Sequence, residues 1–160
     1  MTLCATTFPR IRFGKRFWLI YLVSSAVFHL FWEFAHSPLY TLWRSGSPVQ
    51  IVSDVAQCTL GDIAIAAAAI FAGWWLLRRS FWPPTARFAF AVTTVATGFL
   101  LTVVIEWASI HLLARWSYDA RVPVLPYVHV GISPVLQWLI VPSVSLWLAF
   151  RAERSGSKPT

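Results

Sequence analysis

Four stretches of the chain are apolar with little interruption: Phe17 to Ala35, Val55 to Leu77, Phe88 to Ile110, and Ser133 to Phe150. Each is close to the ~20 residues that cross the hydrocarbon of a bilayer as a helix. The runs are continuous rather than alternating, and backbone groups in lipid must be satisfied within a helix or a closed barrel. The pattern predicts an all-α, polytopic membrane protein with four transmembrane helices in an antiparallel bundle. Residues 17–150 form that domain, between a basic segment at 1–16 and a basic tail at 151–160.

Ser-Pro pairs at 37–38, 47–48 and 133–134 punctuate the pattern. Serine caps a helix and proline suits its first position, where a missing N–H costs nothing. The second span is therefore expected to start near Pro48 and the fourth at Pro134. Residues 38 to 44, PLYTLWR, read as a short interfacial helix, and Pro142 as a kink in the fourth span. The segment SFWPPTAR is a short turn that makes the second and third spans neighbours. Residues 112 to 132 carry too many aromatics and prolines for a flexible linker, and read as a packed cap over the outer mouth.

Composition agrees with this frame. The chain is 58% hydrophobic and 12% charged, with ten tryptophans and twelve phenylalanines among 160 residues, an aromatic load suited to lipid contact. Ten of the thirteen cations flank one side of the spans: Arg10, Arg12, Lys15, Arg16, Arg78, Arg79, Arg87, Arg151, Arg154 and Lys158. Arg44, Arg115 and Arg121 fall on the other. Both termini are accordingly expected in the cytoplasm, with the plasma membrane, specifically a bacterial inner membrane, as the location. The same bias accounts for the net charge of +7 by orientation and anionic lipid, so nucleic acid is not an expected partner. The first span is long and lacks a small-residue cleavage site, and reads as a retained anchor. Cys4 and Cys58 lie on opposite sides and do not suggest a disulfide.

Against the apolar background the polar positions are informative. Ser25, His29, Glu33 and His36 lie within an arc of roughly 80° on the first helix. The second span presents Asp54, Gln57, Cys58 and Gly61 on a common face with Asp62 at its margin. The third presents Gly98, Thr102, Glu106 and Ser109, and the fourth Ser133 and Gln137. Five of the six acidic residues, Glu33, Asp54, Asp62, Glu106 and Asp119, fall in the outer half or its loop. Ionisable groups within a span each cost about 2.5 to 3.5 kcal/mol on insertion scales, so a cluster calls for partners or water. We expect a polar cavity lined by the first three spans and floored by the apolar inner half, which disfavours a through-channel. A faint repeat pairs Glu33, Ala35 and Trp43 with Glu106, Ala108 and Trp116, 73 residues on, and would put both glutamates at one depth.

Three chemistries suit such a cavity. The first is acid–base catalysis on a lipophilic small molecule, a lipid or an isoprenoid, with His29, Glu33, Asp62 and Glu106 as catalytic groups and His29 paired with Glu33. Substrate-binding residues would be His36, Asp54, Gln57, Trp116, Tyr118 and Gln137, although Trp43, Trp107, Trp116 and Tyr118 also read simply as an outer aromatic belt, and Gln137 as hydrogen-bond glue between helices. The second is a divalent metal held by His29, Glu33, His36 and Asp62. Glu33 and His36 form the Glu-x-x-His spacing of di-metal bundles, but the third span offers Ser109 where a second histidine belongs. The third is a transporter or accessory subunit that binds protons or a cation, for which four helices suffice only in a homo-oligomer.

Overall fold

A computed structural model describes residues 13–77, 86–120 and 122–156. Arg10, Arg12, Cys4, Arg78, Arg79, Arg121, Lys158 and nearly all of the SFWPPTAR turn lie outside the described residues. The elements are α1 (Lys15–His36), a 3₁₀ turn (Ser37–Leu39), α2 (Leu42–Ser45), α3 (Pro48–Leu77), α4 (Ala86–His111) and α5 (Ile132–Gly156). The described residues are helical with two isolated bridges and no strand. Helices α1, α3, α4 and α5 are each long and apolar enough to cross a membrane.

Helix starts follow local chemistry. At Ser47-Pro48-Val49-Gln50, the Ser47 N–H donates to Gln50 Oε1 at 2.8 Å and the Gln50 N–H to Ser47 Oγ at 3.4 Å. This reciprocal capping box begins α3 at Pro48, a turn or two before its apolar core, as expected. Helix α5 starts at Ile132, two residues before Pro134, and continues through Pro142, which is buried. The 38 to 44 segment resolves into the 3₁₀ turn and the single-turn α2.

Helices α1 and α4 each pack against α3 and α5, so the four long helices form a ring with α1 and α4 at opposite corners. At one end Gly14 N–H donates to Glu153 Oε1 at 2.9 Å. Toward the other, Trp32 Nε1 donates to Ser133 Oγ at 3.1 Å. Near the Gly14 end, Phe13, Phe17, Phe90 and Phe150 form a ring cluster with centroid distances of 4.0 Å for Phe13–Phe17 and 5.3 Å for Phe17–Phe150. The exposed large side chains, Leu19, Phe31, Phe34, Leu60, Phe71 and Leu100 among them, point away from the ring, as a bilayer requires.

Residues 112–131 pair with the 37–45 segment. Asp119 N–H donates to Leu39 O at 2.9 Å and Thr41 N–H to Ser117 O at 3.2 Å. Arg44 meets Asp119 at 3.1 Å. Ala114, Tyr127 and His129 hold positive φ values of 46°, 71° and 53°, conformations non-glycine residues seldom adopt without neighbouring contacts to hold them.

Helix α4 approaches α5 closely at Gly98, where a Cβ would run into the Trp138 ring, whereas a Cβ at Gly61 would meet nothing within 4 Å. Gly98→Ala should therefore destabilise the detergent-solubilised protein by about 1–3 kcal/mol through overpacking. Gly61→Ala should leave it unchanged or raise stability by about 0.5–1 kcal/mol through helix propensity. Thermal unfolding of both variants checks this, and equal melting temperatures would contradict the packing.

Candidate functional site

Helix α1 turns Ser25, His29, Glu33 and His36 inward, and all four are buried. The stripe seen in the sequence is thus one face of one helix. Its neighbours bring Asp62 from α3 and Gln137 from α5 to the same level.

Gln137 lies at the centre. Its Nε2 is 2.9 Å from His29 Nδ1, 2.9 Å from Glu33 Oε1 and 2.8 Å from Asp62 Oδ2. An amide carries two hydrogens, so it cannot donate to all three acceptors at once. His29 Nδ1 also lies 3.3 Å from Asp62 Oδ2. With a proton on Nδ1, His29 donates to Asp62 and the amide serves both carboxylates; without it, the amide turns one hydrogen to His29. The cluster therefore accommodates either neutral tautomer of His29 in one geometry. Trp138 Nε1 donates to the other Asp62 oxygen at 3.1 Å, and its ring lies 5.0 Å from that of His29.

A second pair sits one turn further out. His36 Nε2 is 3.1 Å from Glu33 Oε2, and His36 Nδ1 is 2.9 Å from Ser133 Oγ. Ser133 accepts from Trp32, which leaves its own hydrogen for His36 Nδ1. The Nε2–H tautomer that donates to Glu33 is thereby selected.

Glu106 faces the same cavity from α4 but has its own cage. Tyr118 Oη, Tyr40 Oη and Trp116 Nε1 donate to its Oε1, at 2.5, 3.3 and 3.3 Å. Tyr118 also accepts from Gly131 N–H at 2.8 Å. Burial, then the Glu106 carboxylate, raise both tyrosine hydroxyls above their ordinary value, so both remain protonated donors at neutral pH.

Between these groups lies a cavity of about 150 Å³ lined by, among others, Glu33, His36, Asp54, Cys58, Asp62, Glu106 and Gln137. Cys58 is a half-buried free thiol. Asp54 is half-buried, and Gln57 is exposed and accepts from Arg115 Nη2 at 3.1 Å. Apolar wall is supplied by Val55, Ile65 and Ile105. Both glutamates of the sequence repeat therefore face one space.

Some sequence-based expectations change. His29 pairs with Asp62 and Gln137, while Glu33 pairs with His36, because α3 and α5 approach α1 from either side. The lining draws on α5 as well as the first three spans, and Gln137, read as hydrogen-bond glue between helices, joins α5 to both α1 and α3 at the centre of the cluster. Trp116 and Tyr118 turn inward to Glu106 rather than joining an outer belt, whereas Trp107 and Trp43 are exposed. Tyr40, Trp138 and Arg115 were not singled out as site residues from the sequence. Adjacency of Trp138 to Gln137 was the only available signal.

The metal set His29, Glu33, His36 and Asp62 meets an obstacle. Among the described residues no three His, Cys, Asp or Glu side chains are arranged to hold a metal. The point equidistant from His29, Glu33 and Asp62 is taken by the Gln137 amide nitrogen, so a cation there requires Gln137 to swing away. No protein-family model, curated protein or solved structure matches this chain.

Tyr118→Phe removes the shortest donor to Glu106 and the acceptor for Gly131. It should cost about 1–3 kcal/mol, and Tyr40→Phe, with its longer contact, distinctly less. Unfolding midpoints of the two variants test this, and a reversed order would contradict the cage.

Proposed function

We propose that this chain is a multi-pass enzyme of the plasma membrane, by its charge pattern a bacterial inner membrane, acting by acid–base chemistry on the polar end of a lipid or isoprenoid. The proposed bundle is antiparallel with both termini cytoplasmic. Supporting this are the Gly14–Glu153 and Trp32–Ser133 contacts at its two ends and the cationic flanks.

The observation that carries the reading is the gathering of His29, Glu33 and Asp62 around one amide beside the cavity. An imidazole against a carboxylate, with partners suited to either tautomer, is the kind of pair that gives and takes a proton within one turnover. His29 with Asp62 would be the proton-transfer pair, Glu33 with His36 the second, and Glu106 the facing carboxylate. A space of about 150 Å³ falls below the ~300 Å³ at which pockets enclose drug-sized ligands. It fits a headgroup or a short reacting segment while the apolar remainder stays among lipid. Asp54, Gln57 and Trp116 line that space and would contact the head, with Tyr118 acting through Glu106.

A cation-binding or proton-binding accessory role, in a homo-oligomer, uses the same residues. The carboxylates around the cavity favour a cationic ligand in that case. Metal chemistry requires the Gln137 displacement described above.

Cells producing the wild-type chain should differ from those producing His29→Ala or Asp62→Asn in the abundance of a membrane lipid or isoprenoid, at equal protein levels. Identical lipid extracts would overturn the enzymatic reading. Failure of both variants to accumulate would make the cluster structural. Metal content per mole of purified wild type and His29→Ala separates the metal reading, since only that reading expects stoichiometric metal lost in the variant.

A further inference from the structure

The cavity reaches the surface of the bundle on one side. Its lining residues from α1 and α5, such as Glu33, His36, Pro134 and Gln137, are buried. Among the described residues, those that line the cavity and are also exposed are Gln57, Gly61, Ile105 and Arg115. Gln57 and Gly61 belong to α3, Ile105 to α4, and Arg115 to the segment that follows α4. The opening therefore lies between α3 and α4.

Two glycines of α3 mark how these helices part. At Gly73 a Cβ would run into Thr94 Oγ1 and touch the Phe90 side chain, so α3 and α4 are in close contact there. Equal lengths of helix from that contact lead to Gly61 on α3 and Glu106 on α4, which both line the cavity. Here a Cβ on α3 would meet nothing within 4 Å. Past this level the gap is bridged by Arg115 Nη2 donating to Gln57 Oε1 at 3.1 Å. The opening is thus a slit, with a polar bridge at one end and the Gly73–Thr94 contact at the other.

Its walls are apolar. Ile65 and Ile105 line it from α3 and α4, and Ala64 and Leu101, one turn on from Gly61 and Ile105, are exposed beside it. Both helices are long and apolar enough to cross a membrane, so a slit in the flank of that pair opens on hydrocarbon rather than on water. Glycine within a helix costs stability relative to alanine, and no neighbour claims the space at Gly61. Open passage is what this glycine supplies.

We propose that the α3–α4 slit binds one hydrocarbon chain of a membrane lipid, which runs from the bilayer over Gly61 into the cavity, with Gly61 and Ile105 deciding whether a chain is admitted. This rests on the reading of the cavity as a site for the polar end of a lipid or isoprenoid, and adds the route and the residues that control it. Burial of a chain against Ile65 and Ile105 is favourable in proportion to the apolar area covered, while the carboxylates beyond them meet only the polar end.

Cys58 lines the cavity one turn from Gly61, and with Cys4→Ser it is the only thiol in the chain. It can therefore report what enters. In phosphatidylcholine vesicles, pyrene maleimide, which partitions into the bilayer, should label Cys58 faster than a quaternary-ammonium maleimide confined to water. Gly61→Trp and Ile105→Trp should each slow the pyrene reagent by about tenfold or more. Phe71→Trp, at an exposed position of α3 away from the slit, should leave the rate unchanged. Ile105→Trp carries the test if Gly61→Trp does not accumulate. Faster labelling from water, unaltered labelling in the slit variants, or equal slowing by Phe71→Trp would overturn the proposal. Labelling needs no turnover, so its failure leaves the acid–base reading standing, whereas identical lipid extracts would remove that reading and leave the slit as a lipid-chain site.

Discussion

One side-chain amide organises the polar half of this bundle. Gln137 reaches from α5 to two carboxylates and an imidazole contributed by α1 and α3, and buried polar groups of this kind are costly without such a partner. Around this nitrogen the neighbouring groups find places that keep Asp62, Glu33 and His36 partnered. Trp138 follows Gln137 in sequence, so the same turn of α5 delivers the indole N–H to Asp62 and the ring to His29. That placement is possible because Gly98 on α4 leaves room for the indole. Packing and polar chemistry at this level are therefore one arrangement, and a change in helix register would break both.

The two halves of the bundle solve opposite problems. From His29 toward the Ser133 end the carboxylates are paired with imidazole, amide, phenol and indole donors, and the pairing of the 112–131 segment with residues 37–45 brings three donors to Glu106, Trp116 and Tyr118 from the first and Tyr40 from the second. Toward the Gly14–Glu153 end, the charged groups give way to buried hydroxyls and then to a phenylalanine cluster. Polarity thus declines stepwise from Gln137 toward the phenylalanine cluster.

Much of this was legible in the residues. Apolar runs of near-bilayer length gave the four spans, and the Ser47-Pro48 pair placed the start of α3 well before its apolar core. The 100° spacing of Ser25, His29, Glu33 and His36 correctly put them on one face, and Glu33 and Glu106 do meet one cavity. What a single helix cannot disclose is the register of its neighbours. Whether His29 meets Glu33 or Asp62 depends on how far α3 and α5 slide along α1, and periodicity within α1 contains no information on that. Trp116 and Tyr118 were read by the average behaviour of interfacial aromatics. Their inward turn depends on the pairing of two distant segments, Tyr40 with Tyr118 in particular, which nothing local to either announces.

The most direct test of the central claim is a double-mutant cycle between Gln137→Leu and Asp62→Leu, read as unfolding free energy in detergent or bicelles. If the amide is the partner of Asp62, the two losses are coupled, and the cycle should return an interaction energy of about 1–3 kcal/mol. Additive losses, within about 0.5 kcal/mol, would mean that Gln137 and Asp62 do not sense each other, and the arrangement built around that amide would be wrong.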